Sequence, residues 1–277
     1  MTRVLSKMLR RLSSVLWIAA MWTASAQAEP VIPFDHSTWN DLLQHSVRWT
    51  AEGQASSVDY RAMAADKAKL QAYLGSVSAV SGATFDHWPR DAQLAFLINA
   101  YNAFTVQFIL TRYPDLASIK DLGSLFQSPW KKPFVPLLGR TLALDDVEHG
   151  LIRGSGRFSD PRIHFAVNCA SIGCPALRPE AYTPQRLDAQ LEDQAKRFLG
   201  DRTRNRLTGS ELEISPIFKW YREDFERGFR GDKTLQDFLA RYASVLGITA
   251  SQAQALRSGV LSIGFGDYDW RLNDGRR

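Results

Sequence analysis

The stretch "RDAQLAFLINAYNAFTVQFILTRYP" (90–114) decides the fold class. Asp91 can open a helix here, and Pro114 ends it just past Arg112. Apolar side chains fall on every face, the pattern of a helix surrounded by protein rather than one lying on a surface. Gln93, Asn99, Asn102 and Gln107 interrupt the run with amides, so it reads as a buried central helix and not as a membrane span.

Outward from this helix the pattern stays mainly helical. "STWNDLLQHSVRWTA" (37–51) carries Trp39, Leu42, Leu43, Val47 and Trp49 at mostly helical spacing, with Ser37 as a cap. Residues 56–63 read as a short extended turn into a helix, and 65–80 as an amphipathic helix. "FVPLLGRTLAL" (134–144) predicts a hairpin around Gly139-Arg140, and 205–215 a second one at Thr208-Gly209. "DDVEHGLIR" (145–153) is a short helix in which Asp145 and Glu148 are spaced as a near capping box. Helices follow over 183–200, where Gly200 is the stop, and over 215–228, where Ser215 caps and Pro216 takes the first turn. Two more occupy 232–246 and 249–259, and 260–274 closes as a strand and an aromatic tail. The expected architecture is α+β: one mainly helical domain with a small antiparallel sheet and a buried central helix.

The first 28 residues predict a signal peptide. Arg3, Lys7, Arg10 and Arg11 precede an apolar run (15–24) and a small-residue cleavage pattern, "AQA" (26–28). The expected location is therefore periplasmic or secreted, with a single globular domain over 29–277 and no transmembrane segment after cleavage. The chain has 34 Lys and Arg against 29 Asp and Glu, a net +5; four of those positive charges lie in the leader, which leaves +1. Nucleic acid then has no electrostatic case as a partner.

Both cysteines lie in "RIHFAVNCASIGCPALRPEAY" (162–182), a run of strand-like residues leading into a turn. Two readings stand. Export into an oxidising compartment favours a Cys169–Cys174 disulfide across a small ring. Alternatively Cys169 is a nucleophile, which requires a base or a positive environment. If "IHFAV" is a strand, His164 and Cys169 point to opposite faces, so a base comes more naturally from His149. No zinc spacing fits the Cys and His residues, and no cofactor motif is present, so neither metal nor cofactor is expected. C-x-x-C is absent, which disfavours a redox enzyme.

Four stretches and the tail resemble one family. "FLINAYNAFTVQFIL" (96–110), "LALDDVEHGLIR" (142–153), "RIHFAVNCASIGCPALRPEAYT" (162–183), "ISPIFKWYREDF" (214–225) and "YDWRLN" (268–273) are similar to the domain-of-unknown-function 547 family. The resemblance runs from about Val58 to Asn273. It implies a shared fold and a common site at the 164–175 loop, without a known reaction; bacterial members of the family are often exported.

The candidate set for a thiol-dependent hydrolase or acyl transferase is Cys169 as nucleophile, His149 or His164 as base, and Asn99 and Glu148 in support. Asn102, Tyr101 and Asn168 are candidate contacts to an unidentified small-molecule or peptide substrate. Each has a structural counterpart. Glu148 suits the capping box, Asn99 and Asn102 suit a buried network that pins a loop, and Arg222 and Asp224 suit a solvated ion pair. Asp269 is a candidate to orient a histidine ring. A long helix beside a small sheet loosely resembles papain-like and transglutaminase-like proteins, but those carry the thiol at the start of that helix, where this chain has none. The alternative function is a non-enzymatic envelope binding or structural module stapled by the Cys169–Cys174 bond.

Overall fold

A computed structural model of the chain describes residues 33–124 and 126–276. The segment expected to be a signal peptide, 1–28, lies outside them. Helix α1 (Ser37–Ser46) stops earlier than its apolar spacing suggests, because Val47–Trp49 leaves it as strand β1 and pairs antiparallel with β2 (Ser56–Val58). Asp59 caps α2 (Tyr60–Ala65) through a hydrogen bond from the Ala62 N–H, and α3 (Lys67–Ser78) and the short α4 (Gly82–Asp86) follow.

Helix α5 (Arg90–Leu110) is the predicted central helix. From Ala92 to Ile109 every residue except Gln107 is buried. It is long and apolar enough to cross a membrane by length and composition, yet its faces are taken up by protein. Around it gathers one apolar cluster, built with Trp39, Leu42, Tyr60, Met63 and Leu74.

Strands β3 (Val135–Leu137) and β4 (Arg140–Leu142) form the first predicted hairpin. Its turn is Leu138-Gly139, both at positive φ, the type I′ geometry that matches the twist of a two-residue hairpin. A second apolar cluster forms around helix α6 (Leu187–Gly200), the hairpin β5 (Arg206–Thr208) and β6 (Glu211–Ile214), and the helices that follow. These are α7 (Ile217–Trp220), α8 (Arg222–Phe225), α9 (Leu235–Arg241), α10 (Ala243–Leu246) and α11 (Ala250–Arg257). Strand β7 (Ser262–Phe265) then returns to pair with β6, in parallel. The class is α+β, mainly helical with small, largely antiparallel sheets around a buried helix.

The segment expected to be a strand, "IHFAV", is instead a 3-10 helix, Pro161–Phe165. Asp160 starts it by accepting from the Arg162 N–H at 2.9 Å, and Pro161 occupies the first turn. The alternating apolar residues mislead because the segment lies between the two clusters. Ile163, Ala166 and Val167 enter the first, while Phe165 enters the second. Two cores, rather than the two faces of a sheet, consume the alternation. The inference that His164 and Cys169 face apart, which rested on a strand, falls with it.

Candidate functional site

The 165–183 segment has little regular structure, so its backbone groups need other partners. Side-chain amides supply them from both sides. From α5, Asn102 Oδ1 accepts from the Asn168 N–H at 2.8 Å, and Asn102 Nδ2 donates to the Ala166 carbonyl at 3.0 Å. One turn earlier Asn99 clamps Tyr182 in the same way, accepting at 3.0 Å and donating at 2.8 Å. From α6, Gln194 Nε2 donates to the carbonyls of Phe165 and Ala176, both at 2.8 Å, and Gln190 Nε2 to that of Ala181 at 2.9 Å. Inside the loop, Asn168 Nδ2 donates to the Pro175 carbonyl at 2.7 Å, and its Oδ1 accepts from the Ala170 N–H at 2.9 Å. Asn99, Asn102 and Asn168 therefore stand outside the reactive space. Their amides bond to backbone, the loop-pinning network that the sequence offered as their structural counterpart.

The loop so held presents Cys169 and Cys174. No disulfide joins them: both are free thiols, with Sγ atoms 2.7 Å apart, longer than the 2.03–2.05 Å of a bond. The Cys169 N–H also points to Cys174 Sγ at 2.8 Å. Ala170 is held in the left-handed region, φ 61°, an unusual conformation for a residue with a Cβ and one found at constrained sites. Gly173 lets the C-terminal tail lie against the loop. Its N–H donates to the Asp269 carbonyl at 2.8 Å, and a Cβ there would meet the Asp269 backbone nitrogen at 2.9 Å.

That tail carries Tyr268, whose hydroxyl is 3.2 Å from Cys169 Sγ; the Ser171 hydroxyl is at 3.1 Å. Burial alone would push the Cys169 thiol up. Hydrogen bonds from the Cys174 thiol and the Ser171 and Tyr268 hydroxyls outweigh it and bring the thiol down to about 7. Cys174 moves the other way: burial, then its bond to the Cys169 sulfur and that sulfur's negative charge, push it well up. The pair divides into one thiol that ionises near neutrality and one that stays protonated and donates.

Cys169 opens on a cavity of about 180 Å³ that also receives Tyr101, Glu148, His149 and His164. Five candidates from the sequence thus share one space. Glu148 does not form the capping box: Asp145 makes no capping hydrogen bond, and Asp146 instead accepts from the Ala143 N–H at 2.8 Å. The segment Asp146–Arg153 is a π-helix, a widened turn often found at functional sites, and its Glu148 is buried at the cavity wall.

The histidines differ. His149 is half-exposed; its Nδ1 lies 2.9 Å from Arg153 Nη1, and because a guanidinium only donates, Nδ1 accepts and Nε2 carries the proton. Nε2 is 3.7 Å from Asp145 Oδ1. His164 is buried, stacked on Tyr221 at 3.9 Å between ring centroids, and bonded through Nε2 to Asp224 Oδ2 at 2.7 Å. Burial drives His164 down, so the ring is neutral, with Nε2 donating to Asp224 and Nδ1 left without a protein partner. Asp224 is correspondingly not a solvated ion-pair member. It is buried, and although burial pushes its acid up, bonds from His164 and Arg153 hold it well below the usual carboxylate range. Asp224, rather than Asp269, orients a histidine; Asp269 pairs with Arg271.

Neither histidine bonds to Cys169, whose partners are Cys174, Ser171 and Tyr268. The aromatic wall formed by Trp130, Trp220 and Trp270 is a further part of the site that spacing did not reveal, because it joins a loop, α7 and the tail. Among the described residues no group of three or more His, Cys, Asp or Glu side chains is placed to hold a metal.

Residues 85–199 match a family model described as "Protein of unknown function, DUF547". The matched segment contains α5, the π-helix, the cysteine loop and α6, and it supports the resemblance drawn from the motifs. Tyr221, Asp224 and Tyr268 lie beyond it. No curated protein and no solved structure matches the chain.

Proposed function

We propose that this cavity is the site of a thiol-dependent hydrolase or acyl transferase in which Cys169 is the nucleophile. The observation that carries the reading is the set of three groups within hydrogen-bonding distance of Cys169 Sγ, which supports a thiolate near neutral pH without a base in contact. In this reading Cys169 Sγ attacks a substrate carbonyl carbon, and a C–S bond forms. The bond to the leaving group breaks, the leaving group takes up a proton from solvent, and a thioester remains on Cys169. Water, or an acceptor alcohol or amine, then attacks the thioester carbonyl, its proton passes to solvent, and Cys169 is released as the thiolate. Tyr268 and Ser171 stabilise the sulfur before attack and after release. His164, buried and fixed by Asp224, positions Tyr221 at the floor. Export through residues 1–28 belongs to the same proposal.

The test is mass spectrometry after brief iodoacetamide treatment at pH 7. Rapid carbamidomethylation of Cys169 and not of Cys174 supports the reading; failure of Cys169 to react overturns it. A second reading, a binding module, is favoured by the 2.7 Å approach of the two sulfurs, which an oxidising compartment can close into a disulfide. A bonded pair in protein recovered from the exported fraction, resistant to glutathione, selects that second reading.

A further inference from the structure

Glu148 is 5 % exposed, yet among the described residues no Lys or Arg forms an ion pair with it. Its charge acts on the Tyr221 hydroxyl, whose acid it helps to push up. A buried carboxylate without a counter-cation is costly and normally finds one. Its charge is felt across the cavity: it contributes to pushing up the acids of Tyr101, Tyr221 and Cys169. Asp145 lies on the same wall, and no Lys or Arg lines the space. The nearby cations are otherwise engaged. Arg153 is bound to Asp224 at 2.5 Å and to His149, and Lys131 acts on Asp145, whose acid it helps to lower.

The aromatic wall lines the same cavity. Trp270 packs against Tyr268 at 4.4 Å, Trp130 at 5.6 Å and Trp220 at 5.9 Å between centroids, and 47 % of Trp220 is exposed. The wall already takes one ammonium: Lys120 Nζ sits 3.8 Å from the Trp270 ring centroid. Aromatic faces opposed to carboxylates make a cage for a cation, the arrangement that recognises ammonium groups.

We propose that the cavity binds an ammonium group of its substrate, with Glu148 supplying the counter-charge and Trp220 with its neighbouring rings the cage, so that the acyl group presented to Cys169 belongs to an amine-bearing compound. The inference rests on the proposed thiol chemistry only for the word "acyl"; ammonium binding is independent of it. An amino-terminal or side-chain amine of a peptide and an amino ester both satisfy the chemistry.

The experiment is calorimetric titration of the full-length protein with choline and with its neutral isostere 3,3-dimethylbutan-1-ol. The Glu148→Gln and Trp220→Ala variants are titrated in parallel. Choline is expected to bind about 10-fold or more tighter than the neutral alcohol. Glu148→Gln removes that preference, and Trp220→Ala weakens choline by several-fold. Trp220 is half-exposed, so its replacement tests the cage even if Glu148→Gln does not fold. Equal affinity for the two probes, no choline binding, or an undiminished preference in both Glu148→Gln and Trp220→Ala overturns the inference. If choline is preferred while Cys169 is unreactive to iodoacetamide, ammonium recognition stands and the thiol chemistry fails; the reverse pattern fails only the recognition.

Discussion

Asn102 holds Asn168 by its backbone: the Asn102 amide accepts from the Asn168 N–H at 2.8 Å and donates, two residues earlier, to the Ala166 carbonyl at 3.0 Å. A buried side chain of the central helix thereby fixes the residue immediately before Cys169. The reactive loop owes its shape to amide clamps on both sides, from α5 and from α6.

Removing one clamp should be expensive. Asn102→Ala leaves a buried N–H and a buried carbonyl unpaired, each costing about 1–3 kcal/mol, so a loss of about 2–6 kcal/mol is expected. Urea denaturation measures it. A loss below about 1 kcal/mol would mean that water or a shifted loop replaces the amide.

The acidity of Cys169 should depend on its neighbours in the tail. Tyr268→Phe removes one hydroxyl from the sulfur, and a hydrogen bond to a charged group contributes about 1.5–3 kcal/mol. The pH midpoint of Cys169 alkylation should therefore rise by about one unit or more. Ser171→Ala should shift it in the same direction. An unchanged midpoint in both variants contradicts the donor account.

Gly173→Ala should reach the same sulfur indirectly. The added Cβ meets Asp269 backbone rather than the end of a flexible side chain, so the tail must move. Tyr268 is the adjacent residue and should withdraw with it, which raises the alkylation midpoint without touching the sulfur. Wild-type behaviour in this variant would show that Tyr268 is positioned by the aromatic cluster alone.

Stability should fall on acidification through histidines that fold neutral. Burial lowers His36 to about 4, from an ordinary value near 6.5. Between these values the unfolded chain binds a proton that the folded chain refuses, so stability is lost as pH falls from about 6.5 to about 4, by roughly 3 kcal/mol. His164, also lowered, acts in the same direction, and Asp224, held low, adds its loss below about pH 4. Urea midpoints compared at pH 7.5 and 4.5 read the effect. His36→Asn should flatten the difference; an equal fall in wild type and variant would assign it elsewhere.

The central helix was legible in the sequence because burial on every face leaves an unbroken apolar signature, as 90–114 does. The hairpins were legible from their glycines, and Cys169, His149, His164 and Glu148, singled out by their chemistry, line one cavity. What was hidden depends on tertiary placement. "IHFAV" alternates like a strand, but two cores on either side produce the same alternation. Asp145 and Glu148 have capping-box spacing, but a π-helical turn carries Glu148 into the cavity instead. Asp224 sits in an ordinary charged helix sequence, and only its approach to His164, 60 positions earlier, separates it from a surface acid. Tyr268 reaches Cys169 across 99 positions, a contact with no local spacing signal. Gln190 and Gln194 carry no such signal, because amides on an amphipathic helix look like its solvated face.

The most direct measurement is the rate of Cys169 alkylation by iodoacetamide from pH 5 to 10, followed by site-resolved mass spectrometry. The account predicts a single titration of Cys169 with a midpoint near 7, with Cys174 unmodified across the neutral range. A midpoint in the ordinary thiol range of about 8.5 or higher, or Cys174 reacting as fast as Cys169, would contradict it.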